Sequence, residues 1–261
     1  MVAEFVKGCF LNLTPIWAIA FLFVVTSMYI AYKGITNIGR LCEIYGVVFI
    51  VVSLSVHAAM FFLGDITQIQ PFFEPKRIKE YVFGAKDLFA ALLGIEILTI
   101  IPFGKVNNKK GILYSVLGVL YVGLFYIFAM ETSVMILGVN DVLNYNNSLI
   151  EALRETKLPS TILLERVDLL FLTVGFFGVT SGLSILFYGT VENISKLFLK
   201  INKNKLFIII GIVVYVVSNF FINADLANLL FNTAIPVVGI FTSFIIPITL
   251  FIIAKVKEHA K

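Results

Sequence analysis

Residues Gly111–Leu137 read GILYSVLGVLYVGLFYIFAMETSVMIL, twenty-seven residues with one charged side chain, Glu131. A helix rising about 1.5 Å per residue needs roughly 20 predominantly apolar residues to cross a hydrocarbon core about 30 Å thick. This run is long enough, and it lacks the apolar–polar alternation of a membrane barrel strand. Six more runs share its character: Thr14–Lys33, Cys42–Leu63, Asp87–Phe103, Val167–Val191, Lys205–Ile222 and Phe231–Ala254. The sequence therefore predicts an all-α, polytopic transmembrane helix bundle of about seven spans, one integral membrane domain over residues 1–261.

Composition agrees. Hydrophobic residues make up 59% of the 261, charged residues 14%, and the mean hydropathy is +0.99. A soluble domain is about half apolar and a quarter charged, so no water-facing surface can be built from this chain. Disordered, collagenous and disulfide-rich classes fall with it, since the cysteines are only Cys9 and Cys42.

The net charge of +4 matters less than its placement. Loops on one side hold Lys33 and Arg40; Lys105, Lys109 and Lys110; Lys196, Lys200, Lys203 and Lys205; and Lys255, Lys257 and Lys261. The longer loops on the other side hold the remaining eight basic residues, diluted by many acids. Lysine and arginine collect on the cytoplasmic side of membrane proteins, which predicts a cytoplasmic C-terminus and an outer N-terminus. Met1–Leu13 has no basic region ahead of an apolar stretch and no small-residue cleavage site, so it is not a signal peptide. A chain that starts outside, mid-helix and without a targeting segment predicts a truncated copy.

Ionisable groups in apolar spans cost several kcal/mol and mark functional sites. Glu96 lies in Leu92-Leu93-Gly94-Ile95-Glu96-Ile97-Leu98, with Pro102 six residues on. Gly94 weakens the helix and Pro102 removes a backbone donor. Transporters build midplane sites in this way, from a short interrupted span with freed backbone groups. Gly94, Ile95 and Glu96 are thus the candidate ligand-binding residues; the competing reading is a protonated Glu96 bonded between helices. Glu131 suits an outer vestibule or a snorkelling carboxylate. His57 is a lone imidazole, read as a structural hydrogen-bonding group or a proton relay. Arg166 and Asp168 open the fifth span, where an acid favours the helix dipole and the arginine pairs with it. Gly175, Gly178, Gly182 and Gly189, with Thr180, Ser181 and Ser184, have the spacing of a close helix–helix contact or of exposed backbone beside a cavity.

The chain contains no phosphate-binding glycine loop, His-Glu-x-x-His, Cys-x-x-Cys or nucleophile elbow. His57 and His259 do not make a metal centre with two distant cysteines. The sequence predicts no enzyme, cofactor, metal site or nucleic-acid partner.

Three stretches resemble one family, the spore germination proteins that form the permease-like B subunit of endospore germinant receptors, within the amino acid–polyamine–organocation transporter superfamily. Leu158-Pro159 followed by Glu165-Arg166-Val167-Asp168-Leu169-Leu170-Phe171-Leu172 is similar to that family's signature. Gly94-Ile95-Glu96 with Pro102 is similar to its Gly-x-Glu helix, and Leu13-Thr14-Pro15-Ile16-Trp17 with Arg40 and Glu43 to a third motif. The resemblance implies helices four to ten of an inverted-repeat permease fold, without the first three. Val174-Gly175-Phe176 stands where the family has an aromatic-rich stretch. The resemblance further implies a sensor of a small nutrient such as an amino acid, with A-type and C-type receptor subunits as partners in the spore inner membrane. A secondary transporter of amino acids or cations, and a non-binding remnant, are the alternatives.

Overall fold

Pro15 stands at the N-cap of α1 (Ile16–Tyr32) in extended conformation, φ −67° and ψ 142°. It has no backbone N–H to lose, so a helix starts beside it without sacrificing a hydrogen bond. In this computed structural model residues 3, 6–7, 11, 13–91, 108–145, 147–156, 167–198, 201–220 and 235–259 are described. Gly34, at φ +90°, turns the chain from α1 into α2 (Ile35–Leu63), a backbone angle that disfavours any Cβ. Then come α3 (Ile78–Ala91), α4 (Asn108–Leu137), α5 (Val139–Asn144), α6 (Ser148–Glu155), α7 (Val167–Leu197) and α8 (Lys203–Phe220). Last are α9 (Ile235–Ile240), a π turn over Phe241–Ile245, and α10 (Ile246–His259).

The chain is an all-α membrane helix bundle. Four described helices are long and apolar enough to cross a bilayer, Ile35–Leu63, Lys110–Leu137, Leu170–Leu197 and Lys203–Phe220, and Ile16–Tyr32 is a shorter apolar helix. Along α4, Leu113, Val116, Leu120, Leu124 and Ile127 are each more than half exposed. Apolar surface this continuous is stable only against lipid or other apolar partners.

The chain divides into two compact units, Met1–Phe73 with Leu120–Val216, and Glu74–Val119 with Val217–Lys261. In the first, α7 packs along both α1 and α2. Val24 and Ala31 of α1 meet Phe187 and Val191 of α7 and Leu206 and Phe207 of α8. A second cluster joins Val56 and Met60 of α2 to Leu172 of α7, with Ile150, Ala152 and Leu153 of α6 laid over them. The long loop after α4 is thus partly helical. Its short helix α6 spends an apolar face closing one end of the bundle, while Arg154 and Glu151 pair at 2.8 Å on the other face. In the second unit α3 packs against α9.

Several elements differ from the sequence expectation. The third helix begins at Ile78, nine residues before Asp87, because the turn Pro75–Arg77 starts it and Ile78, Tyr81 and Val82 extend it among charged neighbours. Residues 235–259 are helical without a break: Pro236 sits in the first turn, where a missing N–H is tolerated, whereas Pro247 lies inside the helix directly after the π turn Phe241–Ile245, the irregularity that accommodates its missing donor. Among the described residues Gly175, Gly178 and Gly182 of α7 do not carry a close approach. A Cβ at Gly175, Gly178 or Gly182 meets nothing within 4 Å among the described residues, and the buried small residues there are Thr180, Ser181 and Ser184.

Candidate functional site

One face of α2 repeats every four residues as Tyr45, Phe49, Ser53, His57 and Phe61. At 3.6 residues per turn these side chains form a single inclined row. The row faces α7 and α4. The Tyr45 ring stacks on Phe177 with centroids 4.0 Å apart, Phe49 meets Phe125 edge-on at 5.8 Å, and Phe61 meets Phe128 at 6.2 Å. The result is an aromatic seam with two polar interruptions, Ser53 and His57.

His57 is fully buried. Its ring centroid lies 5.0 Å from that of Phe125, 5.7 Å from Phe171 and 6.0 Å from Phe128. Nδ1 is 2.8 Å from the Ser53 carbonyl oxygen one turn back, which makes Nδ1–H the donor. Nε2 has no partner among the described residues. Ser53 Oγ donates to the Ile50 carbonyl at 3.2 Å and lies 3.4 Å from the Tyr121 hydroxyl. The imidazole therefore holds one lone pair toward phenylalanine rings.

Glu131 is exposed on α4, one residue before the buried Thr132 and Ser133. Among the described residues it shares no hydrogen bond with His57. Asp168 falls in the first turn of α7. Gly94, Ile95, Glu96 and Arg166 lie outside the described residues, as do Leu158, Pro159, Glu165 and Pro102. Among the described residues no group of three or more His, Cys, Asp or Glu side chains could hold a metal ion.

At one end of the first unit Gly64 fits against Met135, and the Asp65 N–H donates to the Met135 carbonyl at 2.9 Å. The Asp65 carboxylate then accepts the Thr67 N–H at 2.9 Å and starts the turn Ile66–Ile69. That bond, with the Thr67 hydroxyl second, holds the Asp65 carboxyl below the usual aspartate range.

Sequence reasoning singled out His57 but missed Ser53, Tyr121 and the rings around them. The four-residue recurrence of aromatic and polar residues in α2 was the available signal.

Comparison with known proteins yields a matching family, described as spore germination protein, over residues 1–225. Spore germination protein A2 of Bacillus subtilis (strain 168) is 26% identical over 258 residues, 98% of this chain and 69% of that protein. No solved structure matches.

Proposed function

Because the chain belongs to the spore germination protein family, we propose that it is the permease-like membrane subunit of a germinant receptor and that it binds a small nutrient such as an amino acid. The observation that carries this reading is the family match over residues 1–225, which takes in the acidic span 87–103. The family is one of germination proteins rather than enzymes.

In this reading the Glu96 carboxylate recognises a ligand ammonium group, and backbone groups freed beside Gly94 and Ile95 by the glycine and by Pro102 recognise a carboxylate. The ligand enters from the outer face and biases the receptor toward its signalling state by its differential affinity for the two states. A-type and C-type subunits complete the receptor in the spore inner membrane, with the C-terminus of this chain in the cytoplasm.

The test is Glu96→Gln expressed in spores, with membrane insertion checked by fractionation and germination followed over a range of amino acid concentrations. A shifted or abolished dose–response with normal insertion is expected. An unaltered dose–response overturns the assignment of the ligand to Glu96. Glu96-dependent uptake in proteoliposomes, with germination untouched, replaces sensing by transport.

A further inference from the structure

The C-terminal end of α1, the C-terminal end of α7 and the N-terminal end of α8 surround a cavity of ≈ 430 Å³. Its wall carries Tyr32, Lys33, Tyr188, Glu192, Lys203 and Asn204. The Tyr32 ring is held edge-on against Phe207 with centroids 5.7 Å apart, so the aromatic part of the wall is packed from behind.

The charges in and beside this cavity are unequal. Glu192, 26% exposed, receives Lys203 Nζ at 2.8 Å and Lys196 Nζ at 3.8 Å. Its carboxylate is occupied from two sides. Lys33 Nζ rests 5.2 Å from the centroid of the Tyr29 ring, and among the described residues it pairs with no carboxylate. Three lysines thus stand in or beside the cavity against one carboxylate, and only Lys203 and Lys196 pair with it. A cationic ligand finds the acid already engaged, whereas an anion meets the ammonium groups of Lys33 and Lys203 and the exposed Asn204 side-chain amide, the Asn204 backbone N–H being already taken by Asn202 Oδ1 at 2.9 Å.

All three helix ends belong to the lysine-rich side of the sequence. A basic pocket between transmembrane helices on that side lies at the depth of anionic headgroups and carries the charge to hold them. We propose that this cavity binds a phosphate group, presented by an anionic phospholipid or by soluble phosphate, with Lys33 and Lys203 as its cationic partners and Asn204 as a neutral donor. Glu192 acts as the positioning residue that holds the Lys203 ammonium at the cavity wall.

The test uses the full chain purified in detergent micelles doped with phosphatidylglycerol or phosphatidylcholine, with lipid retention measured by native mass spectrometry. Phosphatidylglycerol is expected to be retained over phosphatidylcholine. Lys33→Gln should weaken that retention about fivefold, the equivalent of about 1 kcal/mol for a lysine near an anionic surface. Lys33→Gln with Lys203→Gln should weaken it about 25-fold by the same arithmetic. Lys110→Gln, on the same lysine-rich side but not in the cavity wall, should weaken retention by clearly less than Lys33→Gln. Removing Lys203 also breaks its bond to Glu192, so Lys33→Gln, which leaves that pair intact, carries the test where the double variant fails to fold. Displacement of phosphatidylglycerol by inorganic phosphate, with a rise in thermal stability from phosphate alone, identifies the soluble source. Equal retention of both lipids without a response to phosphate overturns the proposal. So does an unchanged Lys33→Gln variant, or an equal loss in Lys110→Gln.

Discussion

Replacing His57 separates a packed imidazole from a working one. The side chain has no exposed surface and touches three phenylalanine rings. Truncation to alanine opens a cavity and removes those ring contacts, each worth about 0.5–1.5 kcal/mol. The total cost should be about 2–4 kcal/mol, in the range of large-to-small core substitutions. Leucine fills most of the same volume. It loses the Nδ1–H bond to the Ser53 carbonyl, worth about 0.5–1.5 kcal/mol. That carbonyl keeps its ordinary helical partner, so no new acceptor is stranded. Leucine also removes the partnerless Nε2, relieving about 1–3 kcal/mol of desolvation. The two effects nearly cancel, and His57→Leu should unfold within about 1 kcal/mol of the native chain. Thermal unfolding in detergent compares the three proteins directly. If leucine proves as damaging as alanine, Nε2 has a polar partner in the working protein and the packing argument is wrong.

The glycines make a graded set of predictions. A Cβ on Gly64 would stand 2.6 Å from Met135 Cβ and 3.1 Å from its backbone carbon, so Gly64→Ala should destabilise by about 1–3 kcal/mol as an overpacked contact. At Gly211 the obstacle is Met28 Sδ at 2.5 Å, on a side chain that can rotate away, and Gly118 has open space; thermal midpoints should fall in the order Gly64, Gly211, Gly118. Leu153→Ala, on the buried face of α6 at a position 1% exposed, should cost about 2–5 kcal/mol and speed proteolysis of the loop after α4. Asp65 has a depressed folded pKa, so its turn-forming bond is fully present above the unfolded aspartate value and is lost as pH falls through the lower folded one. Protection of the Thr67 amide from hydrogen exchange, corrected for intrinsic pH dependence, should therefore drop on acidification in the native chain and be low throughout in Asp65→Ala.

The membrane character of the chain was legible because it depends on run length and charge exclusion, which survive without tertiary information. The bounds of α2, α4 and α7 extend the expected spans by a turn or two at polar ends such as Ile35–Leu41 and Glu192–Leu197, since helix hydrogen bonding continues beyond the apolar stretch. The short helices α5 and α6 were not legible. At six and eight residues they have no stability of their own, and α6 exists because Ile150 and Leu153 find a surface to cover. The lysines around the Glu192 cavity were read for topology alone. Their excess over acids is visible in the sequence, but which of them the helix ends gather around one carboxylate is a property of packing.

Buried hydroxyls and a buried acid have different needs inside a helix bundle. Thr132, Ser133, Thr156, Thr180, Ser181 and Ser184 each donate to a carbonyl three or four residues back on their own helix. Every one of these donors is already spent, and a ligand passing along α4 or α7 must break an existing bond to use it. A carboxylate cannot settle in this way, because an ionised acid only accepts and its helix's free carbonyls also only accept. Such a group demands a donor from elsewhere, and in a hydrocarbon setting the choices are a paired cation, water or a bound ammonium. The span with Gly94 and Glu96 holds no lysine or arginine between Asp87 and Phe103. Under the proposed function an ionised Glu96 therefore calls for a ligand that brings its own N–H donors, such as an amine-bearing nutrient, whereas a protonated Glu96 donates one hydrogen bond between helices and calls for none.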